Sequence, residues 1–98
     1  MSGATLELGT VYLTAGVNSL VHGNKEFSKH IETSLTRYCA QDWGDLPDDD
    51  REMNDVAVNS GENRVLAAYK HPAHEDWRIW IITEWDRSAT TILFPAEY

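Results

Sequence analysis

The stretch RIWIITEW, residues 78–85, decides the fold class. Its β-branched and aromatic side chains are typical of a strand, in which successive side chains point to opposite faces. Both faces of this strand are largely apolar, so it is predicted to be an inner strand of a sheet. The first face carries Ile79, Ile81 and Thr83, and the second carries Trp80, Ile82 and Glu84.

Three further stretches have strand character. RVLAAYK (64–70) and TTILFP (90–95) flank the inner strand, and LGTVYLT (8–14) lies near the start of the chain. The connections HPAHED (71–76) and DRSA (86–89) are short, which favours an antiparallel meander. We therefore expect an antiparallel sheet of about four strands.

Between the first strand and the meander, the apolar residues recur at helical spacing. This spacing predicts one helix over about 24–40, with Asn24 as its N-cap, and a second from about 46–49 to 59, ending at Gly61. SLVHG (19–23) is predicted to form a short helical turn. The chain is thus expected to be one α+β domain over residues 1–98, with two or three helices packed on one face of the sheet. The predicted apolar faces are Phe27, Ile31, Leu35 and Tyr38, and Leu46, Met53, Val56 and Ala57.

Composition narrows the classes of function. The chain of 98 residues carries sixteen acidic and eight basic side chains, a formal charge of −8. Phosphates and anionic membranes would be repelled, so a basic protein partner is favoured over nucleic acid or a membrane. Cys39 is the only cysteine, which excludes an internal disulfide and indicates a reducing compartment. No signal peptide or membrane-spanning run is recognisable, so we expect a cytoplasmic protein.

The acidic segment, residues 42–55, is the most unusual part of the chain, with seven acids and Arg51 as its only base. Acids at a helix N-terminus satisfy free N–H groups, and either Asp45 or Asp49 could be the N-cap. The alternative is a partner-binding surface, because one charge per about 3 Å approaches the spacing of phosphates along a DNA strand. Both interpretations stay open. The seven acids are Asp42, Asp45, Asp48, Asp49, Asp50, Glu52 and Asp55.

Trp43 is the exceptional aromatic residue because it lies in a polar loop. It either closes the gap between helix and sheet, which the sequence favours, or it is an exposed anchor for a partner.

Other polar groups give no catalytic pattern. His71 and His74 have the HxxH spacing of zinc ligands, but no third ligand is identifiable, so a polar hairpin turn is expected. Cys39 is expected to be a small apolar group on the inner side of its helix. We expect no enzyme activity, metal ion or cofactor. His22 and His30 are expected at the surface, and Glu84, Asp86 and Arg87 in a structural ion pair.

The sequence also resembles a known family. DWGDL (42–46), ND (54–55), NRVLAAY (63–69) and RIWIITEWDRSATTILFPAEY (78–98) resemble small bacterial proteins carried by plasmids and other mobile elements, described as plasmid-related. The resemblance covers the chain from about Leu8, and its specific part is the last stretch. That family description implies no chemistry.

In its small size, its acidity and its mobile-element resemblance, the chain is also similar to anti-CRISPR proteins, in particular to inhibitors of the type I-C surveillance complex. This resemblance implies a monomeric protein whose acidic surface mimics DNA and occupies a basic DNA-binding surface, expected on the large subunit of the complex. The alternative is an antitoxin-like or adaptor protein that binds another basic protein. The residues expected to contact the partner are Asp45, Asp48, Asp49, Glu52 and Asp55, with Trp43 as an apolar anchor.

Overall fold

The computed structural model of the protein describes residues 6–98. It confirms an α+β fold with three helices and a four-stranded sheet. Two short 3-10 turns, Glu75–Trp77 and Pro95–Glu97, complete the regular structure. The elements in chain order are β1 (Thr10–Leu13), α1 (Ala15–Gly23), α2 (Lys25–Cys39), α3 (Asp48–Ser60), β2 (Val65–Tyr69), β3 (Ile79–Thr83) and β4 (Ala89–Leu93).

The meander β2–β3–β4 is antiparallel, as predicted, and β3 is an inner strand. Ile81 at its centre lies between Ala67 of β2 and Ile92 of β4, and all three side chains are buried. The apolar character of both faces of β3 therefore matches its position between two hydrogen-bonded neighbours.

Strand β1 departs from the prediction of a wholly antiparallel sheet. The strand order is β1-β4-β3-β2, and β1 pairs in parallel with β4, so the sheet is mixed. Three helices and two strands separate β1 from β4 along the chain, so no tight turn fixes the relative direction of the two strands. The local sequence of β1 predicts a strand but not its direction.

Helix α2 packs with the predicted apolar face. Phe27 and Tyr38 are fully buried, and the Asn24 side chain accepts a hydrogen bond from the Phe27 N–H at 3.0 Å, which confirms the N-cap. The buried Tyr38 hydroxyl is 2.6 Å from Thr83 Oγ1, and Thr83 is 2.8 Å from Thr90. Burial raises the pKa of the Tyr38 phenol, so this hydroxyl chain stays neutral.

Helix α3 is rotated relative to the prediction. It ends at Gly61, whose left-handed φ of 72° confirms the predicted C-cap. Its N-cap is Pro47, with no capping side chain, so the assignment of Asp45 or Asp49 as N-cap was wrong. The predicted apolar stripe was wrong at two of its four positions: Ala57 is buried and Leu46 is partly buried against the core, but Met53 and Val56 are 69% and 60% exposed. The other buried residues of α3 are Asn54 and Val58.

Helix α1 extends over Ala15–Gly23, so the short turn predicted at residues 19–23 is the end of a longer helix. Val17 is its fully buried residue. Within residues 6–98 no helix is both long enough and apolar enough to cross a membrane.

Candidate partner-binding surface

The connector, residues 40–47 between α2 and α3, runs beside strand β2. Gly44 forms a parallel bridge with Ala68, and the Asp45 N–H donates to the Ala68 carbonyl at 2.8 Å. The Asp45 carboxylate in turn accepts the Lys70 N–H at 2.8 Å. Gly44 has a φ of 74°, and a Cβ there would collide with the Ala68 carbonyl oxygen, so the close approach requires glycine.

Asn54 of α3 completes the cover of β2. Its side-chain amide donates to the Leu66 carbonyl at 2.8 Å and accepts the Leu66 N–H at 3.4 Å. The side chain thus replaces a neighbouring strand at that position. Open strand edges promote association between chains, and the connector and α3 together protect this one. The same contact explains the rotation of α3, because Asn54 faces the sheet in place of the predicted Met53 and Val56.

Trp43 is buried, with 3% of its surface exposed, so it is not an exposed anchor and closes the gap between helix and sheet. Its ring meets Tyr38 edge-on at 5.5 Å, and its indole N–H donates to Asp55 Oδ1 at 2.9 Å. Asp55 therefore has an internal role that its sequence position did not reveal. Trp43 cannot contribute contact area to a partner unless the connector moves.

Asp42 forms the best-defined ion pair of the acidic segment. Arg37 donates to both of its oxygens, at 2.8 and 3.2 Å, and the Gly44 N–H donates to it at 3.1 Å. The hydrogen bond from Arg37 is the main cause of a lowered pKa for Asp42. The Asp42 backbone carbonyl accepts the Tyr69 hydroxyl at 2.7 Å, so this residue ties α2 to the end of β2.

Arg51, the only base of the acidic segment, is occupied by backbone carbonyls. Its guanidinium donates to Leu46 at 2.9 Å and to Gly44 at 3.2 Å, and it lies 3.9 Å from the Asp48 carboxylate. Asp48 is fully exposed at that contact, so the ion pair is weak. Arg51 therefore fixes the connector more than it neutralises the helix.

The remaining acids have no such internal partner. Asp49, Asp50 and Glu52 are exposed, and within the part of the chain that the structure describes they form no hydrogen bond or ion pair through their carboxylates. Asp49 and Glu52 line one open groove together with Met53 and Val56. These four residues are called the outer face of α3 below.

The outer face of α3 combines two kinds of contact. Two carboxylates supply charge, and two exposed apolar side chains supply area that a partner would remove from water. The sequence pointed to Asp49 and Glu52 but assigned Met53 and Val56 to the core. Asn54 was the available signal for the true orientation, because Asn54, Ala57, Val58 and Gly61 also follow helical spacing.

The structure corrects three further sequence-based expectations. Cys39 is exposed instead of lying on the inner side of α2. His30 is buried instead of superficial: its Nε2 donates to the Trp77 carbonyl at 2.9 Å, and burial is the main cause of its lowered pKa. The Arg87 guanidinium donates to the backbone carbonyls of Asn63 and Ala57, at 2.6 and 2.9 Å, so it anchors the end of α3. It also donates to the Glu84 backbone carbonyl at 3.2 Å, but within residues 6–98 it forms no ion pair with the Glu84 or Asp86 carboxylate.

Comparison with known proteins adds no assignment: no family model matches the chain, and neither a curated protein nor a solved structure is detectably similar to it. The family resemblance of the sequence therefore stays a prediction.

Proposed function

We propose that this protein is an inhibitory binding protein of the anti-CRISPR type, whose acidic surface mimics DNA charge and blocks DNA binding by a type I-C surveillance complex. The observation that carries the proposal is the outer face of α3, where unpaired carboxylates lie beside exposed apolar side chains. The proposed partner surface is the basic DNA-binding surface of the complex, most simply that of its large subunit.

Five of the seven acids of this region fall into two sets that serve the proposal differently. Asp42, Asp45 and Asp55 are held by internal hydrogen bonds, so their charges are fixed before any partner arrives. Fixed charges attract and orient a basic surface without a further loss of side-chain entropy. Asp49 and Glu52 keep their carboxylate oxygens available for direct hydrogen bonds to Arg or Lys side chains.

The apolar side chains distinguish this surface from a pure polyanion. The DNA backbone exposes phosphates to the proteins that bind it, whereas Met53 and Val56 expose hydrophobic area beside the carboxylates. An inhibitor that competes with DNA gains from both terms, because apolar burial is not screened by salt. The proposed setting is the cytoplasm of a bacterial host, with the protein acting as a monomer.

Order of addition tests this function. Purified type I-C complex, labelled target duplex and this protein are combined in a mobility-shift assay. We expect protein added first to prevent duplex binding, and protein added to a preformed complex to act only as fast as DNA dissociates. If the complex still binds the duplex at saturating protein while DNA degradation stops, the protein blocks nuclease recruitment, and the proposed mechanism is wrong.

The second candidate is an antitoxin-like or adaptor protein that binds a different basic protein. The exposed side chains of Met53 and Val56 favour this candidate as much as the first one, because they would pack against any protein partner that has an apolar patch beside basic residues. An assay in which neither duplex binding nor degradation changes would exclude the CRISPR target and favour this second candidate.

A further inference from the structure

Away from α3, the fold brings together three side chains that bind metals in other proteins. Glu26 lies in the first turn of α2, and His71 and His74 lie in the loop after β2. Glu26 Oε2 is 3.8 Å from His71 Nε2 and 3.5 Å from His74 Nε2. All three donor groups lie within 4.8 Å of one another. The third donor that the HxxH pattern lacked is thus supplied by a distant part of the chain.

These separations suit a tetrahedral zinc ion. Bonds of about 2.0–2.1 Å to nitrogen and oxygen place tetrahedral ligands about 3.4 Å apart. The two distances from Glu26 exceed that value by only a few tenths of an ångström, which side-chain rotation can provide. Two imidazoles and one carboxylate are a donor set that Zn²⁺ accepts, with the fourth position left for water.

Trp77 positions both histidine rings. The His74 ring stacks on the indole with centroids 3.9 Å apart, and the His71 ring meets it edge-on at 4.9 Å. Trp77 itself packs against Phe27 of the core, one residue after Glu26. The two rings are therefore supported by an aromatic side chain tied to the same helix turn that carries the carboxylate. A pair of free surface histidines would lack this support.

One hydrogen bond of His71 opposes metal binding, because it must break before the ion can bind. The Ala73 N–H donates to His71 Nδ1 at 3.0 Å, so neutral His71 carries its proton on Nε2, the atom that faces Glu26. Zn²⁺ binding at Nε2 requires the proton to move to Nδ1 and the Ala73 N–H to find water. Ala73 is exposed, so the loss is that of one solvent-accessible hydrogen bond.

We propose that Glu26, His71 and His74 form a Zn²⁺ site that joins the start of α2 to the loop between β2 and β3. This inference is independent of the proposed function, because it uses no residue of the acidic segment. The ion replaces the long contacts between Glu26 and the two rings by direct bonds. Binding selects the Nδ1–H tautomer of His71.

The test is titration of the metal-free 98-residue chain with Zn²⁺ alone, followed by calorimetry and by ¹⁵N NMR of the histidine rings. We expect one ion per chain, with ring nitrogen shifts of His71 and His74 that report coordination at Nε2 and a proton on Nδ1 of His71. Glu26→Gln and His74→Gln should each weaken binding by at least about tenfold, since loss of even an outer-shell partner of a metal ligand weakens binding by about 10–100-fold.

The matched control is His22→Gln, because His22 is an exposed histidine outside the cluster. It should bind Zn²⁺ as the unchanged protein does. The proposal is overturned if Zn²⁺ does not saturate at one ion, or if Glu26→Gln leaves the affinity unchanged. It is also overturned if the ring shifts appear at His22, or if binding is lost instead on substituting Asp48 or Asp49. Circular dichroism of each variant excludes unfolding as the cause.

Discussion

The connector and the outer face of α3 carry the same kinds of side chain and use them differently. In the connector, Asp42 pairs with Arg37 and Asp45 accepts a backbone N–H of the strand it covers. On the outer face, Asp49 and Glu52 have no such bonds among the described residues. A count of acids along the sequence therefore overstates the surface that is free to bind, because part of the acidic segment holds the fold together.

Trp43 of the connector and Met53 of the outer face show the same division between a structural region and an exposed one. Trp43 of the connector is buried at 3% exposure, whereas Met53 of the outer face is 69% exposed. A polar stretch thus contains a buried aromatic ring, while helix α3 exposes two apolar side chains, Met53 and Val56, to solvent. We therefore expect stability to depend on the connector and partner binding to depend on the outer face of α3.

The largest effect on stability is expected for Trp43→Ala. The substitution removes a buried ring and leaves Asp55 without its indole donor, which should lower the free energy of unfolding by about 3–5 kcal/mol. Urea denaturation measures it. The control Trp85→Ala alters a ring that is 67% exposed and should cost less than about 1 kcal/mol. Equal losses in the two variants would contradict the structural role of the connector.

A smaller loss is expected for Asn54→Ala. The substitution leaves the Leu66 N–H and carbonyl without their side-chain partner, at a cost of about 1–3 kcal/mol. Hydrogen exchange at the Leu66 amide should accelerate. Asn59→Ala, on the exposed side of the same helix, is the matched control and should leave that exchange rate unchanged. Unchanged exchange in Asn54→Ala would show that α3 does not protect the β2 edge.

Asp42→Asn should give a small, pH-dependent loss. The folded-state pKa of Asp42 is lowered, so its carboxylate stabilises the fold above the unfolded-state pKa of about 3.9, and that contribution disappears as pH falls through the folded-state pKa. The pair is half exposed, so we expect about 0.2–1 kcal/mol at pH 7. Denaturation of both proteins at pH 7 and pH 3 measures the difference in their free energies of unfolding, which should be smaller at pH 3. A wider difference in acid would be inconsistent with the ion pair.

The smallest effect on stability is expected for the double variant Asp49→Asn/Glu52→Gln. Loss of a favourable interaction with the helix dipole is offset by relief of repulsion between neighbouring acids, so the change should stay below about 0.5 kcal/mol. Thermal and urea denaturation both measure it. A loss above about 1 kcal/mol would mean that the outer face also stabilises the fold.

The sequence predicted the elements whose patterns are local. The inner strand β3, the meander, the α2 N-cap at Asn24 and the α3 C-cap at Gly61 are confirmed, since each depends on neighbouring residues. The parallel direction of β1 and the rotation of α3 depend on contacts between distant segments. Asn54 illustrates the limit: this polar side chain faces the sheet because it pairs with Leu66, twelve positions away in the sequence.

The candidate site was predicted in part for the same reason. Charge is visible in the sequence, so the acidic segment was found. The internal partners of Asp45 and Asp55 lie on other elements, so the separation of fixed from free carboxylates required the structure. Glu26 and His71 likewise meet only because α2 packs beside the loop after β2.

The central claim is that the outer face of α3 binds the partner through its charges. The most direct measurement is the affinity of purified type I-C complex for two variants that each remove two negative charges, at physiological salt. Asp49→Asn/Glu52→Gln should bind at least about tenfold more weakly than the unchanged protein, a loss of about 1.4 kcal/mol. Asp76→Asn/Glu84→Gln, which alters exposed acids elsewhere, should bind within about twofold of the unchanged protein. Equal affinity of the outer-face variant and the unchanged protein would contradict the claim.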